Sequence, residues 1–489
     1  MATIEELIYR HTLHTPDKTA LQQGDLSISY GELWSRIVGV ASYFKKNLVL
    51  KTGDRVIISA NKQVEFIYAY FGAHLCGLIC VPIDPETNPV RLNRIVECSA
   101  PSLIIGELRN QPDYDILPFD TLSECFATEN EAPVSFPCMT DMADLLFTTG
   151  TTGLPKGVSL TFGNLSAAVD NINTFIGNTS ADTELLALPV SHSFGLGRLR
   201  CVLSKGGILV LLGSFASMKK FFGELEKYHV TGFGMVPASW GYLLKMSGEK
   251  IGKYAGQLKY IEIGSAFMPL ENKQKLMSLL PHTRICMHYG LTEASRSTFI
   301  SFHDESEHID SIGKASPNTE IVILDEQENL SGSNQEGELC VKGSHVCSGY
   351  WGTGEEQFRE DFYGNYFKTG DWGYMDEDGY IYLRSRKKEM INVGGKKVSP
   401  LEVEEALNTL EGISESACIS VSDNVMGEVV KAFIVCETGC VDEEQIKRSL
   451  SGMLENYKIP ANIQQINEIP KTSSGKVQRL LLREYDRNR

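Results

Sequence analysis

Thr148-Thr-Gly-Thr-Thr-Gly-Leu-Pro-Lys-Gly157 gathers four threonines, three glycines and one lysine into ten residues. Such a stretch suits a phosphate. Glycines let backbone N–H groups approach oxyanions, hydroxyls donate further hydrogen bonds, and the lysine adds a point charge. The Gly-x-x-x-x-Gly-Lys-Ser/Thr spacing of a Walker A loop is absent. A solvent turn is the bland alternative, but ordinary turns rarely concentrate so many phosphate-compatible groups.

Around this loop, from Thr19 to about Leu212, short β-rich runs alternate with amphipathic helical stretches. Strands are expected at Arg55–Ser59, Ile79–Ile83 and Ser102–Ile105, with helices at Tyr30–Phe44, Val64–Leu75 and Arg91–Cys98. That alternation predicts α/β layers with parallel sheets. The rhythm continues through strands at Val230–Val236 and Tyr260–Ile263, whose ends are where open α/β sheets place ligands. After Ile309 the chain turns to short strands, at Glu320–Leu324, Glu338–Val341 and Gly379–Leu383, as expected of a β-rich subdomain. A basic cluster, Arg384 to Lys388, then precedes a strand at Met390–Val393, a double glycine and a helix at Pro400–Leu410. The expected fold is a large N-terminal domain of α/β layered sheets with a β-rich subdomain, residues 1–385, followed by a small mobile α+β domain, residues 386–489.

The whole chain has 489 residues, 42% apolar and 22% charged, which excludes a solvated tail or fibrous repeat. At about 150 residues per domain it allows roughly two to four domains. With 46 Lys plus Arg against 62 Asp plus Glu, the formal charge of -16 opposes non-specific attraction to nucleic acid or anionic lipid. A polyanionic ligand therefore needs a locally basic site. Met1–Arg10 carries Glu5 and Glu6 and no secretory pattern, so a cytoplasmic protein is expected, and no run approaches the ~18 apolar residues of a membrane span. The 12 cysteines are scattered, with Cys76 and Cys80 lacking Cys-x-x-Cys spacing, so reduced packed thiols are expected. The ten histidines form no His-Glu-x-x-His, which gives a structural zinc little support.

With six further segments, the loop resembles the adenylate-forming superfamily: acyl- and aryl-CoA synthetases, beetle luciferases and peptide-synthetase adenylation domains. Those segments, in the family's order, are Leu188-Pro-Val-Ser-His-Ser-Phe-Gly195, Gly264-Ser-Ala266, His288-Tyr-Gly-Leu-Thr-Glu293, Thr369-Gly-Asp371, Arg386-Lys-Lys-Glu-Met-Ile-Asn-Val-Gly-Gly395 and Pro470-Lys-Thr-Ser-Ser-Gly-Lys476. The resemblance spans almost the whole chain. It implies that a carboxylic acid is activated by ATP to an acyl-AMP with release of pyrophosphate, and that the acyl group then passes to a thiol. Two anions meet in the first step, so pre-placed donors and cations must neutralise the developing charge.

The resemblance places Thr148, Thr149, Thr151, Thr152 and Lys156 on the β- and γ-phosphates, Thr292 at the α-phosphate and Glu293 as the Mg²⁺ ligand. Tyr289 resembles the aromatic that stacks on adenine, beside the small-residue wall Gly264, Ser265 and Ala266. Asp371 is expected at the ribose hydroxyls, with Arg386 as the second ribose contact. Lys476 matches the lysine that bridges the acyl carboxylate and the ribose or α-phosphate during adenylation. Lys388 occupies the hinge about which the small domain turns between half-reactions. Gly395 would then face the site and let the pantetheine arm pass.

His192 matches the position found in acyl- and aryl-acid activators, and the segment around it lacks the aspartate of amino-acid-activating members, which favours a non-amino acid. Arg198, one helical turn beyond Phe194, either faces an anionic or polar group of the acid, or turns outward or pairs with a structural acid; Arg296 poses the same question. Met235, Val236, Pro237 and Trp240 are expected to form another wall, with Trp240 limiting depth. Coenzyme A is the expected acceptor, with the phosphopantetheine of an acyl carrier protein as the alternative. A luciferase-like oxygenase and a non-catalytic nucleotide-binding relative remain as other classes.

Overall fold

The computed structural model describes residues 2–109, 114–127, 135–149, 155–213, 215–436, 442–472 and 476–487. Among them the strands form four sheets. One α/β sheet runs Lys314–Ala315, Thr298–Ser301, Arg284–Tyr289, Tyr260–Ile263, Gly232–Met235, Thr183–Leu186, Ile208–Leu211, Thr19–Gln23, Leu26–Ser29, and is parallel from Arg284–Tyr289 to Thr19–Gln23. The other runs Gly349–Tyr350, Pro155–Thr161, Met142–Thr149, Ile79–Ile83, Arg55–Ser59, Leu103–Ile105, Ile116–Leu117. Its Met142–Thr149 and Pro155–Thr161 strands are antiparallel, with Thr148 opposite Lys156.

Helices pack between these sheets. In Val64–Leu75 every residue but Glu65 is buried, and in Ser193–Ser204 every residue but Ser193, arginines included. A helix buried on all sides is an interior layer, because no face is left for water. The main core gathers Tyr30, Phe66, Phe71, Leu196 and Leu199 from these layers, while Phe221, Phe233, Trp240 and Ile261 build a second core on the other side of the first sheet.

A third, antiparallel sheet of Glu320–Leu324, Gly337–Lys342, Tyr366–Met375, Phe362–Tyr363 and Ile381–Arg386 forms the expected β-rich part. The fourth sheet, Lys396–Val398, Ile391–Val393, Gly427–Cys436, Ile413–Asp423 and Asn462–Gln465, has its own core of Val393, Val403, Leu407, Val430 and Ile446. Gly394 and Gly395 turn the Ile391–Val393/Lys396–Val398 hairpin with φ of +58° and +84°, the left-handed pair that a two-residue hairpin demands. This unit rests on the third sheet through a bond from Ser399 Oγ to the Arg384 carbonyl and an ion pair between Lys397 and Glu326. No helix among the described residues is long and apolar enough to cross a membrane.

Candidate active site

Strands Gly232–Met235, Tyr260–Ile263 and Arg284–Tyr289 are parallel, so their carboxyl ends bring Val236, Gly264 and Gly290 to one edge of the sheet. Ligands bind at such edges in open α/β sheets. Ser265 there has φ +74°, a left-handed conformation unusual for a residue with a side chain, and such strain clusters at functional sites. Gly264 is a glycine for a steric reason. A Cβ on it would stand 2.1 Å from His288 Cε1.

Asp371 and Arg386 face each other across the antiparallel strands Tyr366–Met375 and Ile381–Arg386. Arg386 Nε lies 2.8 Å from Asp371 Oδ1, and the Tyr289 hydroxyl donates to Asp371 Oδ2 at 2.5 Å. Burial raises the Asp371 carboxyl above its ordinary value, against the pull of Arg386, Tyr289 and Lys476. Tyr289 itself is pushed up, first by burial and then by the Asp371 charge.

Glu293 accepts a bond from the Tyr350 hydroxyl at 3.0 Å, and the Lys156 ammonium sits 4.9 Å from the centre of the Tyr350 ring. Residues 346–351 act as a clasp. Cys347 N–H donates to the Glu293 carbonyl at 2.7 Å, while Ser348 N–H donates to the Ser159 carbonyl at 3.0 Å and Trp351 N–H to the Gly157 carbonyl at 2.7 Å. The segment that carries Glu293 and the strands Met142–Thr149 and Pro155–Thr161 are thereby held as one piece. Tyr350 carried no motif signal, because its role depends on the pairing of Gly349–Tyr350 with Pro155–Thr161.

Lys476 belongs to the C-terminal unit, where Thr472 N–H donates to the Lys476 carbonyl at 2.8 Å and Lys476 N–H returns a bond to Thr472 Oγ1 at 3.1 Å. It keeps an open surface, yet the surrounding protein withholds enough water to lower the ammonium below its ordinary value. The Arg386 charge lowers it further, and Asp371 and Glu293 oppose the shift. His192 stands at the N-cap of Ser193–Ser204 and makes no capping bond. Burial depresses its imidazole, Asp84 opposes this, and Arg91 and Lys476 add to it. Lys476 thus stands within electrostatic reach of His192, Glu293, Asp371 and Arg386, and Tyr289 is bonded to Asp371.

Other expectations resolve differently. Thr151 and Thr152 lie outside the described residues, as does the side chain of Thr149. Gly395 lies in its hairpin turn with nothing within 4 Å of a Cβ placed on it. Arg198 is fully buried and donates to Glu184 (2.8 Å from Nε), Glu262 (3.2 Å) and Asn178 (3.1 Å), so of these readings the structural pairing holds. Arg296 is likewise committed. Its Nε donates to Glu262 at 3.1 Å, and its Nη atoms donate to the Ser193 and Phe194 carbonyls at 2.9 and 3.0 Å. Trp240 and Met235, each 1% exposed, are sunk in the second core, so of the proposed wall only Val236 and Pro237 keep open surface.

Two groups suit nucleotide and metal. Asp371 spends two of its roughly four acceptor positions on Arg386 and Tyr289, leaving capacity for a diol. Glu293 offers one carboxylate, bonded to the Tyr350 hydroxyl whose ring Lys156 approaches, in keeping with the way Mg²⁺ is held by one or two carboxylates plus phosphate oxygens. His74, Cys80 and Asp144 also lie within metal-binding distance of one another, but His74 is already engaged by Glu5 and Asp144, and Asp144 by Arg200, an ion network rather than an open ligand set.

The sequence pattern of the AMP-binding enzyme family matches residues 8–351, and that of its C-terminal domain matches residues 402–476. The 2-succinylbenzoate–CoA ligase of Bacillus velezensis is 30% identical over 98% of this chain and 97% of its own. The long-chain-fatty-acid–CoA ligase of Bacillus subtilis is 29% identical over 99% and 95%. Among solved structures, ATP-bound MatB from Rhodopseudomonas palustris superposes with a TM-score of 0.89 at 25% identity, covering 99% of both chains. The o-succinylbenzoate coenzyme A synthetase MenE from Bacillus subtilis, in complex with ATP and magnesium, also reaches 0.89 at 25% identity, over 98% of this chain and 99% of that one. The chain belongs to the AMP-binding enzyme family, with both its large and its C-terminal parts present.

Proposed function

We propose that this protein is an AMP-forming ligase that joins a small carboxylic acid to the thiol of coenzyme A. The observation that carries this reading is that Lys476, from the C-terminal unit, stands within electrostatic reach of Asp371, Arg386 and Glu293. Adenylation needs a cation where carboxylate and α-phosphate come together, and Lys476 supplies it. In the first step the acid's oxygen bonds to the α-phosphorus as the bond to pyrophosphate breaks. Asp371 and Arg386 hold the ribose, Tyr289 the adenine against Gly264, Ser265 and Ala266, and Thr292 the α-phosphate. Thr148, Thr149, Thr151, Thr152 and Lys156 hold the β- and γ-phosphates, with the lysine already beside Tyr350. Glu293 would hold Mg²⁺, which when bound draws off charge from the phosphate oxygens.

In the second step the thiol attacks the acyl carbon and AMP leaves. Residues 1–385 form the large domain in this reading and 386–489 the mobile one, turning about Lys388 so that Lys476 withdraws and Gly395 lines the thiol's path. Lys388 is exposed and lies two residues beyond Arg386, free of the packing that would resist a change of φ and ψ. A cytoplasmic setting accompanies this reading, and carrier-protein phosphopantetheine is the alternative acceptor, since it presents the same arm. The test is acid-dependent ATP–pyrophosphate exchange, followed by thioester mass spectrometry with coenzyme A and with holo-carrier protein. A thioester of coenzyme A is expected. Exchange that ignores added acid would contradict the reading.

A further inference from the structure

We infer that the acid is a short one, because the protein's own side chains close the inner end of the space that an acyl chain would enter. The inference rests on the ligase reading, which puts the carboxylate near Lys476 and His192. The start of helix Ser193–Ser204 lies against strands Gly232–Met235 and Arg284–Tyr289, and a chain running inward from there would pass between them. Two glycines along that route, Gly234 and Gly264, lack the Cβ that would block it. Both spaces are filled all the same. A Cβ on Gly264 would stand 2.1 Å from the His288 ring, and one on Gly234 would stand 2.7 Å from Leu188 and 3.3 Å from Phe194.

Phe194 and His288 meet edge to face, their ring centres 4.6 Å apart at 89°, and both are buried. Behind them the plug is ionic. Glu262 Oε1 lies 2.7 Å from His288 Nδ1 and 3.1 Å from Arg296 Nε, while Glu262 Oε2 accepts from Arg198 at 3.2 Å. The Arg296 guanidinium also stacks 4.8 Å from the Phe194 ring centre and is tied to the first carbonyls of that helix. An apolar wall can shift to admit extra methylenes. This one can do so only by disturbing a buried set of charges in which Glu262 is bound by Arg198 and Arg296. Phe194 is therefore a specificity-determining residue that sets acyl length.

The test is ATP–pyrophosphate exchange on the full chain with acetate, lactate, butyrate, malonate, octanoate, dodecanoate and cinnamate. Short acids are expected to lead, with kcat/KM for octanoate lower than for the best short acid by ~100-fold or more, as a closed pocket rejects added methylenes. Phe194→Ala and the milder Phe194→Leu should both move the preference toward longer acids, raising the octanoate-to-butyrate ratio by at least ~10-fold. Octanoate, dodecanoate or cinnamate serving as well as butyrate in the wild type would overturn this inference and leave the ligase reading intact. An unchanged length preference in a folded Phe194→Leu would overturn it as well. No exchange with any acid would contradict the ligase reading itself and this inference with it.

Discussion

Asp371 has two partners in hand, Arg386 and Tyr289, and its remaining acceptor capacity is what a ribose would use. Asp371→Asn keeps the shape and removes the charge, so the KM for ATP should rise about 10-fold or more, on the scale of a lost hydrogen bond to a charged group. The acid's KM should change far less, which steady-state kinetics with each substrate varied will read. Tyr350→Phe should weaken magnesium activation by about fivefold, the effect of one bond of ~1 kcal/mol to Glu293. At this scale motif order revealed Asp371, Arg386, Glu293 and Lys476, because each sits in a short run of distinctive spacing. Tyr350 and Glu262 were not legible. Their roles arise from side-chain contacts between segments far apart in sequence, 57 residues in the case of Tyr350 and Glu293. Arg198 and Arg296 drew notice as charges in odd places, but only the structure reveals Glu184 and Glu262 beside them.

Among elements, the hairpin at Gly394–Gly395 carries the most exacting expectation. A Cβ at Gly395 meets nothing within 4 Å, so a large side chain fits this conformation, at the cost of strain from φ +84°. That strain is about 1–2 kcal/mol for a residue with a side chain. Gly395→Trp should fold, form acyl-AMP and fail in transfer to the thiol. Gly395→Ala bears the same strain without the bulk and should retain transfer. Full transfer by the tryptophan variant would contradict the role given to this turn. Element type was largely readable from periodicity: Val64–Leu75, Tyr260–Ile263 and Glu320–Leu324 begin and end where the sequence predicts. The Ser193–Ser204 helix was harder to interpret, because its polar residues suggest a wetted face. Its arginines are instead buried, with Arg198 paired to Glu184 and Glu262 and Arg200 to Asp144.

For the whole molecule, the charge of -16 gives no hint of a nucleotide site, since the cations that the proposed reading assigns to it are few and local: Lys156, Arg386 and Lys476. Buried histidines couple the fold to pH. His345 is held down at about 4 by burial, and His288 is lowered from 6.5 by burial as well. His345 stays neutral in the folded chain while the unfolded chain takes up protons below pH 6.5, and His288 acts in the same direction. The contribution of His345 to stability is therefore complete above that pH and falls as pH drops toward 4, by up to about 1.4 kcal/mol per pH unit. Urea unfolding across this range should show that slope, shallower in His345→Gln; an unchanged slope would remove His345 from the account.

In the proposed reading the large part of the chain binds the nucleotide, and the small part brings Lys476 to it. Comparing the two half-reactions in Lys476→Ala tests this division most directly. Acyl-AMP formation should fall by ~10² or more, the scale of a lost electrostatic stabiliser, while thiolysis of supplied acyl-AMP stays near the wild-type rate. Equal losses in both half-reactions would contradict the account.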